Sequence, residues 1–262
     1  MRDPNSHKGQ NGRVLVIAGS YEYVGAASLT AIAAQRCGVD LVHLVTNHDA
    51  GIVASNNESM LIVHKYSQKY FLEEHVPMAL ELAQKCDSVV IGPGLGSEEQ
   101  TLAAIKLFLL RNTKPVVIDA DAISAISGAL LHGSIVTPHS TEFKLLFNED
   151  ANSDSAKRYA NKDTIILLKG NPDIITDGSQ YSENTLGNSS MTKGGTGDVL
   201  AGLCAGFLAL GNSKYHSAQM AAVVNGLVGD YLFEEMENGW VTSQMLSQIP
   251  KAIIHAQQQR LI

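Results

Sequence analysis

The segment with the most distinctive chemistry runs from Lys193 to Gly202 and reads KGGTGDVLAG. Glycines on both sides of Thr196 allow consecutive backbone amides to face one point, and a helix is predicted to begin there. Amides at a helix N-terminus form an anion hole. Asp198 stands where a general base would stand, and the helix N-terminus is expected to keep it ionised at neutral pH. The alternative is that Asp198 only caps the helix.

Two glycine-rich segments follow predicted strands. Gly25-Ala26-Ala27 opens a helix, which either lets a ligand approach the backbone or only packs tightly against the sheet. No GxGxxG motif occurs there, which argues against a Rossmann dinucleotide site. Gly92 to Gly96 reads GPGLG, which indicates either close ligand approach or a plain turn.

Charged residues follow three further strands. Asp119 and Asp121 either tune a magnesium-phosphate site, or Asp121 caps the next short helix, which we favour. His139 and Glu142 are spaced to share one helix face, so His139 is a candidate substrate contact and Glu142 a candidate member of a magnesium or phosphate network. Capping is the simpler alternative, and zinc lacks a third ligand at matching spacing. Lys169 offers a point charge for phosphate.

Alternating strand and helix patterns predict an α/β fold, a three-layer α/β/α sandwich with a mostly parallel central sheet. The predicted strands are Arg13–Ala18, Leu41–Thr46, Ser88–Ile91, Pro115–Ile118, Ser134–Thr137 and Thr164–Lys169, with a hairpin at Ile174–Gln180. The predicted helices are Gly25–Cys37, Glu73–Gln84, Glu98–Leu110, Thr141–Phe147, Ser155–Asn161, Thr196–Leu210, Ser213–Glu235 and Thr242–Gln259. Without repeats or linkers, residues 1–262 are expected to form one domain.

Composition excludes several classes of function. A net charge of −7 offers no basic footprint for nucleic acid, so a small-molecule partner is expected. The apolar run Val199–Leu210 is shorter than the roughly 20 residues of a membrane span. The polar N-terminus lacks the apolar stretch of a secretion signal, and the 3 scattered cysteines suit a reducing compartment, so a cytoplasmic location is expected.

Taken together, these motifs resemble a known family. GGTGD resembles the anion-hole and aspartate signature of ribokinase-like enzymes, and TPHSTE stands where many of those kinases carry N-x-x-E. The pattern from about Gly12 to Leu210 is similar to that of the ADP/ATP-dependent NAD(P)H-hydrate dehydratases. The other segments that carry this similarity are GRVLVIAGS, VGAASLTA, IGPGLG, VIDADAIS and LLKG. The resemblance therefore implies a ribokinase-like fold.

It also implies a reaction. The S form of hydrated NADH or NADPH would be phosphorylated on its ring hydroxyl by ADP or ATP, and elimination of phosphate would restore the reduced cofactor. Asp198 would activate the hydroxyl, and the amides of Gly195, Thr196 and Gly197 would stabilise the transferring phosphoryl group. Mg²⁺ would arrive with the nucleotide rather than in a metal site of the protein.

The remaining roles are also implied by the resemblance. Ala26, Gly96, His139 and Asp198 match substrate-binding positions. The nucleotide-binding positions are matched by Lys169, Gly170, Asn171, Pro172, Asp173 and Gly197. Family members often form tetramers, so a homo-oligomer is expected, and the epimerase activity that often accompanies the dehydratase would come from another polypeptide.

Two segments depart from the family pattern. Ser140-Thr141 replaces the usual Pro-Gly, and Asn188-Ser189-Ser190-Met191 replaces Asn-Pro-Gly-Met. Two alternatives stay open: a small-hydroxyl kinase of the same superfamily, of the hydroxyethylthiazole or hydroxymethylpyrimidine type, and a catalytically silent nucleotide-binding protein. A kinase would leave the phosphate on its product.

Overall fold

The central sheet of the computed structural model, which describes residues 4–126 and 132–262, contains nine strands within those ranges. The strands are β1 (Arg13–Ile17), β2 (Leu41–Asn47), β3 (Ile62–Tyr66), β4 (Ser88–Ile91), β5 (Val116–Ile118), β6 (Ser134–Val136), β7 (Thr164–Leu168), β8 (Asp173–Thr176) and β9 (Tyr181–Asn184). Their order is β3-β2-β1-β4-β5-β6-β7-β8-β9. β1 to β7 pair in parallel, β8 pairs antiparallel with β7, and β9 pairs antiparallel with β8. The predicted mostly parallel sheet is confirmed.

Helices cover both faces of the sheet. They are α1 (Val24–Arg36), α2 (His48–Asn57), α3 (Val76–Gln84), α4 (Glu99–Arg111), α5 (Asp121–Ser124), α6 (Ser140–Phe147), α7 (Ser153–Tyr159), α8 (Thr196–Ala209), α9 (Lys214–Met236) and α10 (Met245–Gln258). Helices α1, α2, α8, α9 and α10 pack together on one face, and α3 to α7 lie on the other. The predicted three-layer sandwich is therefore confirmed.

The alternation of side chains along β1 shows why both faces must be covered. Val14 and Val16 pack into the core beneath α1, α8 and α9, whereas Leu15 and Ile17 pack into the core beneath α3 and α4. All four side chains are fully buried. Because successive residues of a strand point to opposite faces, a continuously apolar strand requires a helical layer on each side.

The sequence prediction missed one strand and one helix, β3 and α2. β3 is the edge strand of the sheet and leaves Ile62 and Lys65 exposed, so it lacks the continuous apolar run of the inner strands. α2 is short and polar, and its start depends on the side chain of Asn47, which accepts hydrogen bonds from the amides of Asp49 and Ala50. The hairpin turn is at the predicted place, but its second strand lies beyond it, at β9.

The strand order reverses beside β1, which lies between β2 and β4. At such a point the loops that follow two neighbouring strands lead to opposite sides of the sheet, and a crevice opens between them at the carboxyl ends of the strands. The loops after β1 and β4 meet there, where the amide of Gly19 donates to the carbonyl of Pro93 at 2.8 Å. Asp119, His139 and Lys169 follow β5, β6 and β7 at the same edge.

The described cysteines are all buried and unpaired. Cys37, Cys86 and Cys204 are free thiols with buried side chains. None of the helices in the described ranges is both long enough and apolar enough to cross a membrane.

Candidate functional site

A buried ion pair stands at the carboxyl ends of β5 and β7. Asp119 is 1% exposed, and its Oδ1 accepts hydrogen bonds from Lys169 Nζ at 2.9 Å and from Thr137 Oγ1 at 2.7 Å. Lys169 Nζ also lies 3.6 Å from Glu142 Oε2. Burial alone would lower the pKa of Lys169, but the carboxylates of Asp119 and Glu142 outweigh it and raise that pKa. Lys169 therefore remains a cation at every physiological pH.

Asp198 lies in the first turn of α8, within electrostatic range of this pair. Burial and the carboxylate of Asp119 raise the pKa of Asp198 to about 7, with Asp121 adding to the increase and Lys169 opposing it. The expectation that the helix N-terminus keeps Asp198 fully ionised at neutral pH is therefore wrong. Desolvation and neighbouring carboxylates outweigh the helix dipole, and they give Asp198 the pKa of an efficient general base.

The proposed capping role of Asp121 is also wrong. α5 begins at Asp121 itself, and no side chain caps that helix. Instead, Asp121 Oδ2 accepts a hydrogen bond from the amide of Gly96 at 2.8 Å. Burial and the nearby carboxylate of Asp119 raise the pKa of Asp121, while the Gly96 hydrogen bond opposes the increase. Asp121 therefore joins the loop after β4 to the end of β5.

The start of α8 presents backbone amides that have no partner within the described part of the protein. Gly195 is the N-cap with φ 94°, and its carbonyl accepts the helical hydrogen bond from Val199 at 3.0 Å. Within the described ranges, the amides of Gly195, Gly197 and Asp198 donate to no protein acceptor. The amide of Thr196, also predicted to belong to the anion hole, instead lies 3.5 Å from the carbonyl oxygen of Lys193 and donates to it. A Cβ at Gly197 would lie 3.6 Å from Lys169 Nζ. Free amides and a lysine ammonium thus flank the same helix end, where an anion is stabilised.

Two adjacent glycines allow a direct test of this backbone. Gly195→Ala should lower kcat/KM by about 10-fold or more, because a left-handed backbone costs an L-residue about 1–2 kcal/mol and the added Cβ would lie 2.5 Å from Leu29 Cδ1. Gly194→Ala is the matched control, since nothing lies within 4 Å of its Cβ position. Steady-state kinetics of both variants test this prediction. An equal loss of activity in Gly194→Ala and Gly195→Ala would contradict the assignment of this backbone as an anion site.

His139 serves two purposes in the structure. Its Nδ1 accepts hydrogen bonds from the amides of Thr141 at 3.1 Å and Glu142 at 3.3 Å, and its own amide donates to Glu142 Oε2 at 2.8 Å. This capping box starts α6. The alternative that His139 caps this helix is therefore confirmed. His139 also lines the cleft described below. Ser140 is the first residue of α6, a position that tolerates proline, so this departure from the family pattern leaves the helix start intact.

The turn after β7 is held by its own side chains. Asp173 Oδ1 accepts from the amide of Gly170 at 2.9 Å, and Asp173 Oδ2 accepts from Asn184 Nδ2 at 3.1 Å. The Asn171–Pro172 peptide bond is cis. Burial raises the pKa of Asp173 even though both hydrogen bonds oppose the increase. Asp173 therefore shapes the turn, while Gly170 and Asn171 face the space beside it.

A cleft of about 720 Å³ opens beside Lys169. The predicted site residues on its lining are His139, Lys169, Gly170, Asn171, Asp173, Thr196 and Gly197. Those that are not on its lining are Ala26, Gly96, Pro172, Gly195 and Asp198. The fold thus brings most of the predicted nucleotide-binding residues together with His139.

The loop after β4 forms another part of the site. A Cβ at Gly92 would lie 1.8 Å from the carbonyl oxygen of Asp119, and one at Gly94 would lie 2.7 Å from Ala26 Cβ. Packing within the protein therefore already requires these two glycines. Gly96 has more room, with the ring of Tyr70 3.3 Å from its Cβ position. Ala26 and Gly96 are linked through this loop to Asp121, and Asp121 is electrostatically coupled to Asp198.

The second departure from the family pattern has a structural counterpart. Ser190 is 4% exposed, and its Oγ accepts a hydrogen bond from the indole Nε1 of Trp240 at 2.9 Å. Asn188 Nδ2 donates to Asp230 Oδ1 at 2.8 Å. Because Trp240 is buried, its N–H needs an acceptor, and Ser190 supplies one while anchoring the segment that leads to Gly195.

Two residues of this region carry no clear signal in the sequence, and the role of a third stays open there. The sequence does not decide the role of Asp119 and does not reveal its partner Thr137, although both follow strands at the ligand edge of the sheet. Asn225 lies on α9, 27 positions after Asp198, and lines the cleft. Only its polarity inside an otherwise apolar helical stretch could have drawn attention to it.

The amino-acid sequence is similar to that of known proteins. The profile of the family described as NAD(P)H-hydrate dehydratase matches residues 14–251. The ADP-dependent (S)-NAD(P)H-hydrate dehydratase of Cenarchaeum symbiosum is 36% identical, over 97% of this chain and 92% of that protein. The bifunctional NAD(P)H-hydrate repair enzyme Nnr of Hyperthermus butylicus is also 36% identical, over 96% of this chain. The chain spans about half the length of that relative, 50%.

Solved structures give the same result. The ADP/ATP-dependent NAD(P)H-hydrate dehydratase of Bacillus subtilis, co-crystallized with ATP/Mg²⁺, has a TM-score of 0.79 at 25% identity, covering 100% of this chain and 94% of that chain. Ribokinase of Arabidopsis thaliana shares the fold, with a TM-score of 0.63 at 11% identity over 93% of this chain and 99% of that chain. The resemblance inferred from the sequence is confirmed: the chain belongs to the NAD(P)H-hydrate dehydratase family.

Proposed function

We propose that this protein dehydrates the S form of hydrated NADH or NADPH at the expense of ADP, with ATP as the alternative donor. The observation that carries the proposal is the position of Asp198, a carboxylate with a pKa of about 7 in the first turn of α8. Free amides and Lys169 lie beside it. This arrangement suits transfer of a phosphoryl group to a hydroxyl.

In the proposed complex, the nucleotide lies in the cleft. Its phosphates extend toward Lys169 and the amides of Gly195 and Gly197, while Gly170 and Asn171 border the remainder. The hydrated nicotinamide lies on the other side of Asp198, toward Ala26 and Gly96. In this arrangement Asp198 stands between the two ligands, where the acceptor hydroxyl meets the terminal phosphate.

The proposed reaction has two steps. Asp198 accepts the proton of the ring hydroxyl, the hydroxyl oxygen bonds to the terminal phosphorus, and the bond between that phosphorus and the leaving oxygen of ADP breaks to release AMP. The ring carbon–oxygen bond then breaks with loss of phosphate, driven by the electron pair of the ring nitrogen, and loss of a ring proton restores the reduced nicotinamide. The amides at the start of α8 stabilise the negative charge on the transferring group.

Magnesium is compatible with these residues as a companion of the nucleotide. The carboxylate of Asp119, whose Oδ2 lies 4.0 Å from a Cβ placed at Gly197, offers a hard oxygen ligand near the phosphate end. No cluster of three or more His, Cys, Asp or Glu side chains suited to a metal is found in the described ranges. When bound, the cation would offset phosphate charge, and it would be held mainly by the nucleotide.

The proposal is tested with purified protein, hydrated NADH and ADP. We expect the absorbance of the reduced nicotinamide to return in step with release of inorganic phosphate. A phosphorylated product that accumulates without that absorbance would instead support the small-hydroxyl kinase. Binding of ADP with neither product would indicate a silent nucleotide-binding protein.

The pKa of Asp198 sets an expected pH profile. Asp198 must be deprotonated to accept a proton, and its pKa is raised from 3.8 to about 7. The ratio kcat/KM should therefore level off above about pH 7 and fall about tenfold per pH unit below it. Initial rates from about pH 6 to 9, with ADP affinity measured at each pH as the control, test this expectation. A flat profile would place the pKa of the essential base far lower.

Several broader features complete the proposal. We infer a single domain, a cytoplasmic location and a homo-oligomer, with a tetramer as the expected form. The bifunctional enzymes that match this chain over about half their length are named for NAD(P)H-hydrate repair. An NAD(P)H-hydrate epimerase is therefore the proposed functional partner.

A further inference from the structure

Two tyrosines on the loop between β1 and α1 expose their rings beside a predicted substrate position. Tyr21 is 52% exposed and Tyr23 is 54% exposed. Tyr23 is the N-cap of α1, and its carbonyl accepts a hydrogen bond from the amide of Ala26 at 3.3 Å. Aromatic rings that stand in solvent next to a ligand site offer flat faces on which another ring can stack.

The backbone beneath these rings is held in place. The amide of Tyr21 donates to the carbonyl of Lys69 at 3.0 Å, and the amide of Tyr23 donates to Ser20 Oγ at 3.4 Å. A Cβ at Gly94 would lie 2.7 Å from Tyr23 Cβ, so this loop and the loop after β4 are in close contact. The side chain of Tyr23 makes no capping hydrogen bond in the described part of the chain, so its ring is not needed to start α1.

A third tyrosine joins this loop to the other predicted substrate position. The ring of Tyr70 lies 3.3 Å from the Cβ position of Gly96, and its hydroxyl donates to Glu22 Oε1 at 3.3 Å. Glu22, the acid of this loop, is thereby engaged with Tyr70. Since Ala26 and Gly96 are the positions at which the proposed function places the hydrated nicotinamide, the exposed rings border that end of the site.

The hydrated dinucleotide is much larger than the ring that reacts. Beyond the nicotinamide riboside it carries a pyrophosphate and an adenosine, and the adenine has a flat face that stacks on aromatic side chains. In the proposed complex the phosphoryl donor occupies the cleft beside Lys169. The adenosine half of the substrate must therefore leave the site by another direction.

Charge distinguishes two such directions. On the tyrosine loop, the exposed side chain of Lys69 places its Nζ 5.0 Å from the centroid of the Tyr21 ring. The alternative is a cavity of about 620 Å³ lined by Leu72. The carboxylates on the lining of that cavity belong to Glu73, Glu74 and Glu99. A pyrophosphate is attracted by an ammonium and repelled by carboxylates, which favours the tyrosine loop.

We propose that the exposed ring of Tyr23 stacks on the adenine of the hydrated dinucleotide. The proposal rests on the proposed function and adds the contact by which the enzyme distinguishes a dinucleotide from a mononucleotide. The adenine does not react, and its contact supplies binding free energy at a distance from the reacting ring. Tyr23 is accordingly a specificity-determining residue.

The test compares hydrated NADH with hydrated reduced nicotinamide mononucleotide, each with ADP as the donor. The native protein should show a kcat/KM about 10-fold higher for hydrated NADH, the size of one stack of a base on an aromatic ring. Tyr23→Ala should bring the ratio of the two kcat/KM values close to unity. Tyr23→Phe keeps the ring and should retain the native ratio. The return of the absorbance of the reduced nicotinamide measures both reactions.

Tyr181→Ala is the matched control. Tyr181 is 37% exposed and lies on β9, at the edge of the sheet and several strands away from β1. Lys157 Nζ lies 4.1 Å from the centroid of its ring, much as Lys69 lies beside Tyr21. This variant removes an exposed ring elsewhere on the surface and should keep the native ratio.

Three outcomes would overturn the inference. Equal kcat/KM values of the native protein for the two substrates would do so while leaving the proposed function intact. A ratio that survives in Tyr23→Ala, or that is lost equally in Tyr181→Ala, would show that the ring of Tyr23 has no specific contact with the base. A changed oligomeric state of Tyr23→Ala in analytical ultracentrifugation would assign the ring to an interface between copies of the chain.

The proposed function fails in a different way. In that case the native protein would restore the reduced nicotinamide from neither hydrated substrate.

Discussion

Asp198→Asn should lower turnover by about 10³-fold, the contribution expected of a positioned general base, while ADP affinity stays near that of the native protein. An asparagine occupies the same volume but cannot accept the proton of the hydroxyl. Because burial and Asp119 disfavour the Asp198 carboxylate, removing its charge should leave the melting temperature at least as high.

Three measurements test the Asp198→Asn prediction: single-turnover rates with hydrated NADH, ADP titration and thermal unfolding. The Asp121→Asn variant provides a comparison, since Asp121 is also a buried acid of the cluster but is engaged with the amide of Gly96. Its turnover should fall less than that of Asp198→Asn. Unchanged turnover in Asp198→Asn would refute the assigned role of the base.

Lys169→Met should raise the KM for ADP by about 10- to 100-fold, the size of a charge-assisted hydrogen bond, and should slow kcat much less. It should also lower the free energy of unfolding by about 3 kcal/mol, because the buried carboxylate of Asp119 would lose its cation. The change in KM arises from a lost contact with the nucleotide, whereas the change in unfolding free energy arises from the loss of an ion pair within the protein.

The double variant Lys169→Met/Asp119→Asn separates these effects. The neutral amide that replaces the Asp119 carboxylate would not need a cation, and its oxygen could still accept from Thr137. The unfolding free energy should recover in chemical denaturation, whereas the KM for ADP should stay high. If kcat and KM change by equal factors in Lys169→Met, then Lys169 acts in the transition state instead.

Much of the fold could be predicted from local sequence. The inner strands are continuously apolar because helices cover both faces, so β1, β4 and β7 stand out without any tertiary information. The helix start at Thr196 also follows from local chemistry, since Gly195 adopts a left-handed backbone that glycine favours. The edge strand β3 lacks both signals, so local sequence does not reveal it.

The sequence by itself determined the family, the order of the main elements and the residues that meet at the carboxyl ends of the strands, because these depend on local pattern and on the geometry of parallel sheets. Only the tertiary structure decided the ionisation of Asp198, the attachment of Asp121 to Gly96, and the position of Asn225 on the lining of the cleft. Burial and charge–charge distance are set by residues far apart in the chain, and no local pattern contains them.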